Sequence, residues 1–303
     1  MDDPRIITIG DNVCDKYLSR GRMYPGGQCV NISVFSRMNG ADTAYLGKFG
    51  DDDVARCVID ALAETGVDAS HCRRYEGENG FACVTLDGND RVFLGSNKGG
   101  IAKEHAFDFS PDDFDYIKSF DLICTNLNSY IEDDLEVLAE TGMPVAFDFS
   151  TRWTGEYLEQ ICPYTTVAVL SCAHLSDSAR EQEMSKVASF GVPLVLGTVG
   201  ENGSWLLHKN KYLYAEATLN ENAIDTMGAG DAYFSAFITS VLKQIPRGIG
   251  FDNIPNSNQV FSKAMRDGAV FSPQTSVAWK GLSGTESPSP DELSTDPISE
   301  RKP

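Results

Sequence analysis

Six short apolar runs recur along the chain: RIITIG from Arg5, TAYLGKFG from Thr43, DLICTNL from Asp121, PVAFDFS from Pro144, VAVLS from Val167 and PLVLGTVG from Pro193. Each has the length and continuity of a buried strand, and between them lie amphipathic stretches such as Asp53 to Thr65 and Glu132 to Thr141 that read as helices. Alternation of this kind predicts an α/β fold, with a mostly parallel sheet, helices on both faces and ligands at the carboxyl ends of the strands. Acids, amides and glycines fall at those ends. Asp11 and Asp15 follow the first run, Asn126 and Asn128 end the third, Asp148 ends the fourth and Gly200 the sixth. The segment from Gly80 to Gly99 has a different rhythm, alternating on either side of Asp87-Gly88-Asn89-Asp90, and predicts a β-hairpin.

Two glycine segments carry the chemistry. The first is DTMGAGDAYFSAF, Asp225 to Phe237, a small-residue turn running into a helix-forming stretch. Gly228, Ala229 and Gly230 expose backbone N–H groups to an anion, and the helix adds its positive end. Asp231 sits beside that cradle, where a carboxylate suits removal of a proton from a hydroxyl that attacks a phosphoryl group. A plain tight connection is the bland alternative. A dinucleotide fingerprint fits poorly, because its third glycine would fall at Tyr233, and no Walker G-x-x-x-x-G-K-[ST] occurs. The second segment begins GGQCVN, where Gly26 and Gly27 let a polyhydroxyl ligand approach the main chain. Asn31, one turn into the helix that follows, offers both donor and acceptor to sugar hydroxyls.

With both signatures, GG-x-x-x-N and DT-x-GAGD, the chain resembles the PfkB, or ribokinase-like, family of carbohydrate kinases from about Arg5 to about Leu282. GDNVCD at Gly10 to Asp15, FDFSTRW at Phe147 to Trp153 and TVGENGS at Thr198 to Ser204 fall in the family's order. The wording of these pieces looks most like fructoselysine 6-kinases, which phosphorylate an Amadori sugar–amino acid adduct. The resemblance implies a ribokinase-like domain over residues 1–282, with a small β lid drawn from about 13–25 and 80–99 that keeps water from the reaction. It implies ATP and magnesium, with Asp231 as general base and the Gly228 to Gly230 N–H groups on the transferring phosphoryl oxygens. Asp15, Gly27 and Asn31 would hold the sugar, with Asn126 a further candidate, and Thr198, Gly200 and Gly203 match the nucleotide-side T-x-G-x-x-G loop. Arg152 reads equally as a charge partner for substrate or phosphate and as half of a structural ion pair. The family's N-x-x-E motif is missing, since the corresponding stretch reads LSCAHLSD from Leu170, so no magnesium ligand is assigned. A monovalent cation near the loop at Asp225 and the segment after Ala264, and a homodimer formed through the lid, are family expectations.

Composition agrees with a cytoplasmic enzyme acting on small molecules. A net charge of −19 argues against nucleic acid or an anionic membrane surface, and no apolar run approaches a membrane span. The eight cysteines are scattered without C-x-x-C pairing and read as buried thiols, and the four histidines lack metal-ligand spacing. Residues 283–303, rich in Ser, Pro and acids, read as a flexible tail. Three other readings stay open: fructokinase or another sugar kinase, a non-catalytic sugar or nucleotide sensor, and a nicotinamide-dependent oxidoreductase, the last disfavoured by the glycine spacing.

Overall fold

The structure is a computed structural model and describes residues 3–87, 90–218, 228–282 and 285–286. In chain order the elements begin with β1 (Arg5–Gly10), β2 (Val13–Tyr17), β3 (Arg22–Gly26), α1 (Gln28–Met38), β4 (Asp42–Phe49), α2 (Asp53–Thr65) and β5 (Arg73–Arg74). They continue through β6 (Phe81–Asp87), β7 (Asp90–Ser96), α3 (Ile101–Glu104), α4 (Pro111–Ile117), β8 (Leu122–Asn126), α5 (Leu135–Glu140), β9 (Val145–Asp148) and α6 (Gly155–Ile161). The last are β10 (Val167–Ser171), α7 (Asp177–Ser189), β11 (Leu194–Thr198), β12 (Ser204–His208), β13 (Lys211–Ala215), α8 (Ala229–Gln244), α9 (Ser257–Leu282) and β14 (Thr285–Glu286).

A nine-stranded sheet runs β13-β12-β11-β10-β9-β8-β1-β4-β5. It is parallel from β11 across to β5, because each crossover carries the chain over a face of the sheet before the next strand. Burial on both faces explains the continuous apolar runs. Ile7 and Ile9 of β1 pack into one core with Ile123 and Val195, while Ile6 packs into the opposite core with Leu122, Leu194 and the apolar faces of α8 and α9. Helix starts follow local chemistry: Asp52 caps α2 by accepting from the Ala55 N–H at 2.9 Å, and Ser110 with Asp113 forms a capping box ahead of Pro111.

Three details depart from the sequence expectation. The run from Glu132 opens with a 3-10 turn, Glu132–Asp134, and becomes α-helical only at Leu135. Strands β12 and β13 form an antiparallel hairpin on the sheet edge that βα alternation does not foretell; its turn is closed by Lys209 and Asn210, both at positive φ. Within the expected tail, Thr285–Glu286 pair antiparallel with Met23 and Arg22 of β3.

The second sheet, β14-β3-β2-β6-β7, is the small lid, formed from the segments that the hairpin rhythm and the resemblance single out. The Gly88-Asn89 turn lies outside the described residues. Thiols Cys57 and Cys124 are buried as expected, and Cys83 is half-buried. No helix among the described residues is long and apolar enough to cross a membrane.

Candidate active site

In the large sheet the chain leaves β1 for β4 and β5 on one side and later returns to place β8 on the other, so the strand order reverses between β1 and β8. Open α/β sheets bind ligands at the carboxyl ends of strands beside such a reversal. Here a cavity of about 840 Å³ opens at that place, between the strand ends, the lid and the start of α8. Asp15, Gly27, Asn31, Thr198, Gly228, Gly230 and Asp231 all line it.

Asp11, the residue after β1, organises one wall of the cavity. Its carboxylate accepts from the N–H groups of Gln28 (2.9 Å) and Cys29 (3.0 Å), capping α1 from a distance because Gly27 at the N-cap has no side chain to do so. Gly27 is required there: its φ is +96°, and a Cβ would stand 2.9 Å from the Asn12 Cα. Asn126 donates to the same Asp11 carboxylate at 2.6 Å and is fully buried, outside the cavity lining. Asn126, expected as a further sugar contact, is thus set against the Asp11 carboxylate.

Asp231 occupies the first turn of α8. The segment read as a turn is already helical at Ala229; only Gly228, with φ +76°, stands before the helix as its N-cap. Gly228 and Gly230 face the cavity, whereas Ala229 is not among its lining residues. Asn31 Nδ2 donates to the Asp231 carboxylate at 2.7 Å, tying the two glycine segments together across 200 residues, and Asn31 Oδ1 is buried with no partner among the described residues. Burial pushes the Asp231 carboxyl up to about 7 against the Asn31 hydrogen bond, and the neighbouring charges of Asp148 and Asp11 push the same way. Gln28 donates to Asp148, whose carboxyl burial raises to about 6 despite hydrogen bonds from Ser150 and Gln28.

On the opposite side, Thr198 ends β11 at the cavity. Gly200 and Gly203 are not among its lining residues. Packing accounts for Gly203, because a Cβ would meet the Ala215 carbonyl oxygen at 2.2 Å. Gly230 is the reverse case: no heavy atom of the described residues lies within 4 Å of where its Cβ would be. Asp225 and Thr226 lie outside the described residues, and with them the expected cation loop. Among the described residues no group of three or more His, Cys, Asp and Glu side chains is arranged to hold a metal. Sequence reasoning missed Gln28, which bridges toward two acids; its only signal is its place as the first helical residue after Gly27.

Comparison with known proteins agrees with this fold. The signature of the pfkB family carbohydrate kinases matches residues 5–252. A fructosamine kinase of Bacillus subtilis (strain 168) is 36% identical over 237 residues, covering 78% of this chain and 83% of the relative. A fructoselysine 6-kinase of Escherichia coli (strain K12) is 31% identical over 233 residues, 77% of this chain and 87% of that one. Among solved structures, ribokinase from Arabidopsis thaliana complexed with ribose and ATP superposes with a TM-score of 0.72 at 18% identity, covering 89% of this chain and 92% of its own. Ribokinase from Giardia lamblia superposes at 0.76 with 15% identity, covering 90% and 92%. Both share the fold. The chain belongs to the pfkB family of carbohydrate kinases and is an ATP-dependent sugar kinase.

Proposed function

We propose that this kinase transfers the γ-phosphoryl group of ATP to the 6-hydroxyl of a fructosamine such as fructoselysine, with Asp231 as general base. The observation that carries the reading is the Asp231 carboxylate, poised near neutral pH in the first turn of α8 and oriented by Asn31 from the sugar-side helix. The relatives named as fructosamine and fructoselysine kinases support the acceptor class.

Asp231 takes the proton of the 6-hydroxyl as that oxygen bonds to the γ-phosphorus and the bond to the β–γ bridging oxygen breaks, releasing ADP. Asn31 holds Asp231 in line and stabilises its ionised form. The first N–H groups of α8, at Ala229, Gly230 and Asp231, have no intrahelical acceptor and receive the transferring oxygens. Open space at Gly230 suits a phosphate drawn close to the backbone. Asp15 and Asn31 hold hydroxyls beneath the lid, with Gly27 giving close approach. Thr198 lies on the nucleotide side. Magnesium neutralises the phosphate charge when ATP is bound, and we assign it no protein ligand.

Two copies pairing through the lid is a further part of the reading: edge strand β7 exposes Val92, Phe93 and Leu94 in a row, with Phe93 62% accessible.

The test is ADP release measured side by side on fructoselysine and fructose at saturating MgATP, with the product's phosphate located by NMR. Higher kcat/KM for fructoselysine and a 6-phosphate are expected. Equal or better use of fructose overturns the acceptor assignment and leaves a sugar kinase of another specificity.

A further inference from the structure

The loop after β9 carries a cation to the cavity wall and holds it there. Ser150 lies at φ +54°, a left-handed conformation uncommon for a residue with a Cβ. Its N–H donates to the Asp148 carboxylate at 2.6 Å and its carbonyl accepts from the Ser171 N–H at 2.7 Å, so the loop is pinned from its own strand and from β10. Two residues on, exposed Arg152 lines the cavity and donates to Asn128 Oδ1. Asn128 is fixed in turn by its N–H on Asn126 Oδ1 (2.7 Å), and Asn126 by Asp11 (2.6 Å). A continuous chain of hydrogen bonds thus leads from the N-terminus of α1 to a guanidinium.

That guanidinium is oriented yet forms no ion pair among the described residues, although Asp11, Asp15, Asp148 and Asp231 line the same cavity. A neutral sugar can accept its hydrogen bonds but leaves its charge unpaired. The phosphoryl end of the cavity lies at Thr198 and the start of α8, whereas Arg152 is turned to the β8 loop, on the far side of β9 from β10 and β11. Lys98 and Lys103 also border the cavity, but neither ammonium group has an orienting hydrogen bond among the described residues.

We infer that Arg152, aimed by Asn128, binds a carboxylate on the acceptor, so that the enzyme selects fructosamines bearing an amino-acid carboxylate over adducts whose carboxylate is absent or masked. This rests on the fructosamine reading above. One N–H of the guanidinium is taken by Asn128, and the remaining donors of its planar fork, without a partner among the described residues, can grip a carboxylate. Asn128 is the positioning residue.

The experiment uses the full chain and two acceptors, a fructosyl amino acid and the same adduct with its carboxylate converted to the amide. Wild type is expected to favour the acid by about 10²-fold in kcat/KM, as sites built around a polar partner reject analogues lacking it. Arg152→Gln should bring the acid-to-amide ratio to within about threefold of one, through acceptor KM, with KM for ATP unmoved. Asn128→Ala should erode the ratio partway, and Arg152→Lys should restore part of it. Melting curves confirm that the variants fold. A wild type that does not distinguish acid from amide overturns the assignment. So does an Arg152→Gln defect that is equal on both acceptors or falls on KM for ATP, which would give Arg152 to the phosphate. Turnover of free fructose with neither adduct used would sink the fructosamine reading itself, and this inference with it.

Discussion

At the β1–β8 end of the cavity, side chains from distant parts of the chain hold one another: Asp11 with Asn126 and the α1 backbone, Gln28 with Asp148, Asn31 with Asp231. At the β11–α8 end the described wall is mostly backbone and space, with Gly228 at positive φ, a helix start without a side-chain cap among the described residues, and none of these within 4 Å of a Cβ at Gly230. The two constructions answer different recognition problems. Sugar hydroxyls must be told apart by the direction of each donor and acceptor, which needs side chains whose rotamers are already fixed. Phosphate oxygens need N–H groups, a helix dipole and room.

Asp231 belongs to both ends, so its replacement should have the largest effect. Asp231→Asn keeps the shape and the contact with Asn31 but removes the proton acceptor, and turnover should fall on the order of a hundredfold or more with KM for ATP little changed. Steady-state kinetics at saturating acceptor checks this. Near-normal turnover would show that another group takes the proton. In the wild type, kcat/KM should decline as pH drops through about 7, because the base must be ionised and its carboxyl sits there.

Paired substitutions break the comparison at each end separately. Gly230→Val puts a side chain into open space, so the protein should fold normally while the anion site is filled; turnover should drop about tenfold or more with acceptor KM nearly unchanged. Asn126→Ala strips one hydrogen bond from a buried carboxylate and should cost about 1–3 kcal/mol of stability, with acceptor KM rising and KM for ATP unmoved. Should the two variants give the same kinetic pattern, the division between the two ends is wrong.

What could be read from the sequence follows the same division. Backbone requirements leave a mark in the residue type itself: the apolar runs gave the parallel strands, and Gly27, Gly228 and Gly230 marked places where main chain lines the cavity. Side-chain networks leave no such mark. Nothing in DLICTNL distinguishes an Asn126 that reaches a sugar from one buried under Asp11, since the deciding contact spans 115 residues. Gly203 carries a requirement that its own segment does not show, since a Cβ there would meet the Ala215 carbonyl of the neighbouring β13. The β12–β13 hairpin escaped because its strands pair locally, outside the βα rhythm.

The smallest effect is thermal, and it separates the two ends by charge. A carboxyl titrating near 7 in the folded chain and near 4 when unfolded keeps its proton longer in the fold, so between those values stability falls as pH rises. The penalty is absent below about pH 4 and complete above about pH 7. Asp231→Asn resembles the protonated form at every pH and should escape it, melting with wild type in acid and above it at alkaline pH. The gap should be about 2 °C by pH 8, a modest figure because the site is partly open to solvent. Asp148→Asn should show the same sign over a narrower window, from about 4 to about 6. Gly230→Val, at the end built of backbone, should show no pH-dependent gap. Melting temperatures of the three variants and wild type from pH 5 to 8 decide the matter, and a gap for Asp231→Asn that is constant or shrinks with rising pH would refute the electrostatic strain at the acceptor end.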